Sequence, residues 1–174
     1  MLKIVPMGKV SRDILSEIAS SLREAFSEIE ETEICEEIEV PAVAYDEDRK
    51  QYKARVLLEY LRSKKTAEEG DKILGVTRMD LFAGGLNFVF GQAQKPGSAG
   101  VISLNRLDPE SYGDERDKEL FVERATKESI HEIGHTLGLD HCDDRGCVMT
   151  FSNSVQGVDE KGSLPCEKCR EKLS

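Results

Sequence analysis

A chain of 174 residues fits one domain, in one piece or as two unequal lobes. Its formal charge of -10, with no basic patch in the sequence, argues against a nucleic-acid partner, because phosphates would be repelled. No apolar run approaches the roughly 20 residues of a membrane span.

Residues 2–7 predict a buried first strand. Ser11 stands where a helix cap belongs, and Ile14, Leu15, Ile18, Leu22, Ala25, Phe26 and Ile29 share one stripe of a helix over about 11–30. A second strand is expected from Ile34 to Val40, closed by Pro41. Tyr52, Val56, Leu57, Tyr60 and Leu61 recur at helical spacing and predict a second helix near 50–64. Three more strands follow, over Lys72–Thr77, Asn87–Gln94 and about 100–105. The Asn87–Gln94 stretch ends in polar residues and follows Gly84-Gly85, as an edge strand does. Neither Gly84-Gly85 nor Pro96-Gly97-Ser98-Ala99-Gly100 precedes the Lys-Ser/Thr of a phosphate loop, so both read as turns. This alternation predicts a mixed sheet with helices packed on it, an α+β domain whose first part is of α/β type.

A long helix is expected over about 115–137, with Val122, Ala125, Thr126, Ser129, Ile133 and Leu137 as its core stripe. At 100° per residue, His131 and His135 lie about 40° apart and roughly opposite that stripe. The N-terminal run Met1–Gly8 is too short and too weakly basic for a signal peptide, and its start at the first strand is expected to leave no room for an inhibitory prosegment. Cytoplasmic location is the default that follows. Five cysteines in a reducing compartment point to metal or structural roles rather than disulfides.

All three histidines lie within His131-Glu132-Ile133-Gly134-His135-Thr136-Leu137-Gly138-Leu139-Asp140-His141. Two histidines four apart on a helix can share one metal ion. Gly138 allows the chain to leave the helix in a left-handed turn and bring His141 to the same ion. Three neutral imidazoles leave one position open for water, which is the arrangement of a catalytic zinc. Glu132, adjacent to the first ligand, can take the proton of the zinc-bound water as general base and later return it to a leaving amine. Peptide hydrolysis is the chemistry this array suits.

Cys142 follows His141 directly, then come Cys147 and the pair Cys166-Glu167-Lys168-Cys169. Two cysteine pairs separated by residues 148–165 have the spacing of a four-cysteine structural zinc site; two disulfides or four unrelated thiols are the other readings. Cys142 could also reach the first zinc as an inhibitory thiolate. Cys35, in the expected second strand, reads as a buried apolar residue.

The histidine pattern resembles the metzincin clan of zinc peptidases, whose signature includes a methionine turn beneath the metal, and Met149 stands where that turn belongs. With Cys142, Cys147, Cys166 and Cys169 added, the chain closely resembles the archaemetzincins. The resemblance implies a metzincin-like zincin fold, with an upper lobe over 1–137 and a lower lobe over 138–174. It also implies two zinc ions, a catalytic one on His131, His135 and His141 and a structural one on the four cysteines. The substrate would be a peptide or protein, laid along the strand around Asn87–Gln94. Some metzincins carry a tyrosine shortly after the methionine turn, but here Thr150-Phe151-Ser152 follows and all four tyrosines lie upstream. Trimming of amino termini and internal cleavage both remain open. The alternative to a peptidase is a catalytically weak, zinc-stabilised peptide-binding module.

Overall fold

The computed structural model describes residues 1–64 and 70–173. In chain order the elements are β1 (Leu2–Met7), α1 (Arg12–Ala25), β2 (Thr32–Ile34), β3 (Tyr45–Asp46), β4 (Gln51–Lys53), α2 (Ala54–Ser63), β5 (Lys72–Thr77) and β6 (Leu81–Phe82). They are followed by β7 (Gly91–Ala93), β8 (Ala99–Ser103), α3 (Lys118–Thr136), α4 (Val155–Glu160) and α5 (Glu167–Glu171). A five-stranded sheet has the order β2-β1-β5-β8-β7, parallel throughout except for β7. A small second sheet has the order β3-β4-β6.

The central strands are buried on both faces, as parallel strands under helices must be. Leu2, Ile4, Leu74, Val76 and Ile102 point into a core shared with α1 and α3. Val5, Met7, Ile73, Ala99 and Val101 point into a second core covered by α2. Helices therefore sandwich the sheet, and α3 runs beneath β8 and β7 with its C-terminal end at the sheet edge.

Several expected boundaries shift for identifiable reasons. α1 ends at Ala25, where Phe26 turns extended, yet Phe26 and Ile29 stay buried. The apolar periodicity outlasts the helix because the core continues under the loop. Ser11 occupies the N-cap position without a side-chain hydrogen bond. The strand expected over 34–40 stops at Ile34. Cys35 N–H donates to Ile4 O, but Pro6 has no N–H to hold the next ladder bond, and the chain bulges through Glu36 and Glu37 until Ile38 N–H donates to Pro6 O. Cys35 thus lies just outside β2, half-buried against the α2 core. The first residues of the helix expected near 50–64 form β4 instead, turned back on β3 through Lys50 at φ 58° and joined to β6.

The edge strand narrows to β7, because Val89 is drawn away to bridge Leu81 of the small sheet. It still lies at the sheet edge, antiparallel to β8. α3 begins at Asp117, whose carboxylate accepts the Leu120 N–H as an N-cap. The expectation of one core stripe opposite an open histidine face is corrected: every residue from Arg124 to Gly134 is buried. The far side of α3 is covered by the chain beyond Gly138, where Leu139, Cys147, Val148, Met149, Val155, Val158 and Cys169 join the α1–α3 core. No described helix is long and apolar enough to cross a membrane.

Candidate metal centres and active-site cleft

The last two turns of α3 place His131 and His135 on one side, under the edge formed by β7. Gly138 takes φ 103°, a left-handed conformation that costs a glycine little, and the reversal brings His141 back over the helix end. One metal-binding nitrogen from each of the three histidines lies within 4.8 Å of the others.

The tautomers are fixed by the backbone. His131 Nδ1 lies 2.9 Å from Val148 O and His135 Nδ1 lies 2.7 Å from Leu139 O. A carbonyl only accepts, so each Nδ1 carries its proton and each Nε2 presents a lone pair. Those two Nε2 atoms are 3.1 Å apart. Two lone pairs at this separation repel unless a cation lies between them, and the donor set suits zinc. Burial also keeps the rings neutral, pushing His131 well below its ordinary value and His135 and His141 below theirs.

Glu132 is buried and held against the sheet by two missing side chains. A Cβ at Gly91 of β7 would lie 2.6 Å from Glu132 Cγ, and one at Gly100 of β8 would lie 3.4 Å from Glu132 Cβ. Burial raises its carboxyl well above the usual range, and Glu128 one turn earlier raises it further, while Lys161 opposes both. Met149 is buried beneath α3, with its sulfur where a Cβ at Gly134 would come within 2.5 Å. A bare helix surface at 134 therefore allows Met149 to pack directly against α3, at the residue before His135.

The three histidines and Glu132 open into a cleft of about 350 Å³ between Phe90, Gly91 and Gln92 on one side and Phe151, Ser152 and Asn153 on the other. Phe151 packs its ring 5.2 Å from that of His141. Lys95 stands at the mouth, paired with Asp140. Among the described residues, no tyrosine lines the cleft. A larger groove of about 690 Å³ lies between the starts of α1 and α3, but it contains neither histidine nor cysteine.

The four cysteines meet in a second cluster that begins at Cys142, the residue after His141. Cys142 Sγ is 3.7 Å from Cys166 Sγ, Cys147 Sγ is 3.8 Å from Cys169 Sγ, and all four sulfurs lie within 4.8 Å of one another. A disulfide needs about 2.05 Å, so none is formed. Four sulfurs at about 2.3 Å from a tetrahedral zinc are about 3.8 Å apart, which matches these distances. Burial pushes the Cys147 and Cys169 thiols up, so a bare thiolate is disfavoured there without a cation. Cys142 points to this group and not to the histidines.

A family profile described as peptidase family M54 matches residues 3–174. The chain belongs to the archaemetzincins. The archaemetzincin of Methanocaldococcus jannaschii is 44% identical over 98% of this chain and 90% of that protein, and the one from Pyrococcus furiosus 39% identical over 99% and 92%. The crystal structure of the Methanopyrus kandleri archaemetzincin has a TM-score of 0.85 at 40% identity, covering 99% of this chain and 92% of that one. The Archaeoglobus fulgidus archaemetzincin, crystallised with malonate, gives 0.83 at 37% over 98% of both chains. The α+β metzincin-like fold is thereby shown, and as a member of this family the chain is a zinc metallopeptidase acting on peptides or proteins.

Gly91, Gly134 and the Glu128–Lys161 pair carried no signal in the sequence. Each matters only through a partner distant in the chain, although a glycine inside a helix is a flag for close approach.

Proposed function

We propose that this archaemetzincin hydrolyses peptide bonds in the cleft under β7, with His131, His135 and His141 as ligands of the catalytic zinc and Glu132 as general base. The observation that carries this reading is the 3.1 Å approach of two Nε2 lone pairs whose opposite ring nitrogens are tied to carbonyls. Zinc bound there supplies Lewis acidity towards a carbonyl and activates water. The Glu132 carboxylate takes the proton of the attacking water and returns it to the leaving amine. Its burial against Gly91 and Gly100 fixes its position and excludes bulk water. Among the described residues β7 pairs on one side only, so an extended substrate can add to it as a strand.

Cys142, Cys147, Cys166 and Cys169 would hold a second, structural zinc, and Met149 would form the methionine turn of the first site. Residues 1–137 make the upper lobe and 138–174 the lower lobe, with the cleft between them. Turnover of a mixed peptide library by zinc-loaded protein tests the reading. Activity is expected in the parent and loss of about a hundredfold or more in Glu132→Ala. Equal turnover in both, or none in either, refutes it.

A further inference from the structure

Glu128 and Lys161 form a buried pair of charges with an unusual defect. Lys161 Nζ lies 2.6 Å from Glu128 Oε1, and the two side chains are 1% and 5% exposed. Neither atom has an aligned hydrogen bond. Two desolvated ions repay their burial only when geometry and hydrogen bonding are complete, so this pair is a poor stabilising device. Its location suggests another role.

Glu128 lines the cleft. On α3 its surface neighbours at three and four residues are His131 and Glu132, the first ligand and the base. Two buried carboxylates thus stand one turn apart at the cleft. The other buried cations on this helix are engaged elsewhere: Lys127 Nζ contacts Glu123 and donates to Val158 O and Asp159 O, and Arg124 holds Asp159 through two bonds of 2.7 Å. Lys161 is the cation that meets Glu128. Its backbone is fixed on both sides. Ser154 caps α4 before it, and Gly162 after it presses against Gly146, where a Cβ would fall 2.0 Å from the Gly146 carbonyl oxygen.

We propose that Lys161 is a positioning residue of the active site, restraining the Glu128 carboxylate so that it neither turns towards the three-histidine centre nor sets a second negative charge against Glu132. The restraint comes from the segment leading to the cysteine centre, so the C-terminal part of the chain controls the charge balance of the cleft as well as covering it. The inference rests on Glu132 being the base, and its test is separable from that reading: Glu132→Ala probes the base, whereas the variants below keep Glu132.

The experiment compares zinc-loaded parent, Lys161→Met and the double variant Lys161→Met/Glu128→Gln. It measures kcat and KM on a fluorogenic peptide, zinc per chain and thermal melting. In Lys161→Met, kcat should fall about tenfold or more, with KM within about twofold and zinc content retained. The double variant should regain most of that loss, because the carboxylate that Lys161 restrains has become a neutral amide. Parental kcat in Lys161→Met overturns the proposal. So does a double variant as slow as the single one, which would show that Lys161 acts through packing alone. If Lys161→Met does not fold, Lys161→Gln with and without Glu128→Gln poses the same comparison with the same outcomes.

Discussion

Gly91 faces Glu132 across the sheet edge, and adding one methyl group there tests how tightly the proposed base is held. In Gly91→Ala the new Cβ would stand 2.6 Å from Glu132 Cγ, 2.7 Å from Glu132 Oε1 and 2.7 Å from the Val101 carbonyl oxygen, where ordinary contact begins at 3.4 Å. The Val101 carbonyl belongs to β8, which is hydrogen-bonded to β5 on its other side, so it cannot give way cheaply. Either Glu132 retreats by most of an ångström or β7 lifts from β8. Overpacking of this kind costs about 1–3 kcal/mol, which for a chain of this size lowers Tm by between about 2 and 12 °C. Displacing a reacting group by about 1 Å costs on the order of a hundredfold in rate. Steady-state kinetics and melting of zinc-loaded protein check both, with the loss expected mainly in kcat. A Gly91→Ala enzyme with parental kcat and Tm would refute the idea that this glycine exists to seat Glu132.

If the cysteines hold the second zinc as proposed, Cys166→Ser should lower the zinc bound per chain, reduce Tm, and weaken zinc retention at the histidines, because Cys142 adjoins His141; metal analysis after mild chelation reads this, and full retention with normal melting counts against the coupling. In Gly134→Ala the methyl would meet the buried Met149 sulfur at 2.5 Å, and a loss of about 1–3 kcal/mol is expected by chemical denaturation. Acidification should release zinc from the three histidines by protonating Nε2. Since burial holds all three below the ordinary value of 6.5, the neutral, metal-binding form persists to lower pH, and release should be centred below pH 6.5. Zinc retained after equilibration across that range without chelator measures it, and release centred above 6.5 would contradict the burial argument.

The parts of this molecule legible in the sequence are those fixed by short-range spacing. β1, α1 and β5 follow from local apolar periodicity, and the three histidines and four cysteines converge as their intervals indicate. Features decided by distant partners were not legible. β3, β4 and β6 are two or three residues long and exist because they pair with one another, so no window of sequence marks them. The run from Glu123 to Glu128 is rich in charge and lies on a helix, a pattern that ordinarily means a solvated face. Arg124, Lys127 and Glu128 are nevertheless buried, since Asp159, the α4 carbonyls and Lys161 arrive from the end of the chain to meet them.

The carbonyl that orients the His131 ring belongs to Val148, which is bonded to Cys147 and whose own N–H donates to Leu164 O, two residues before Cys166. A proton on one imidazole is therefore held in place by a peptide group lying between two of the clustered cysteines. This bears on how the chain is assembled. If both groups bind zinc as proposed, zinc supplied stepwise to unloaded protein is expected to fill the cysteine centre first, because closing that loop steadies the carbonyl that orients His131. On that order of filling, zinc scarcity would leave the chain folded and inactive, carrying one ion.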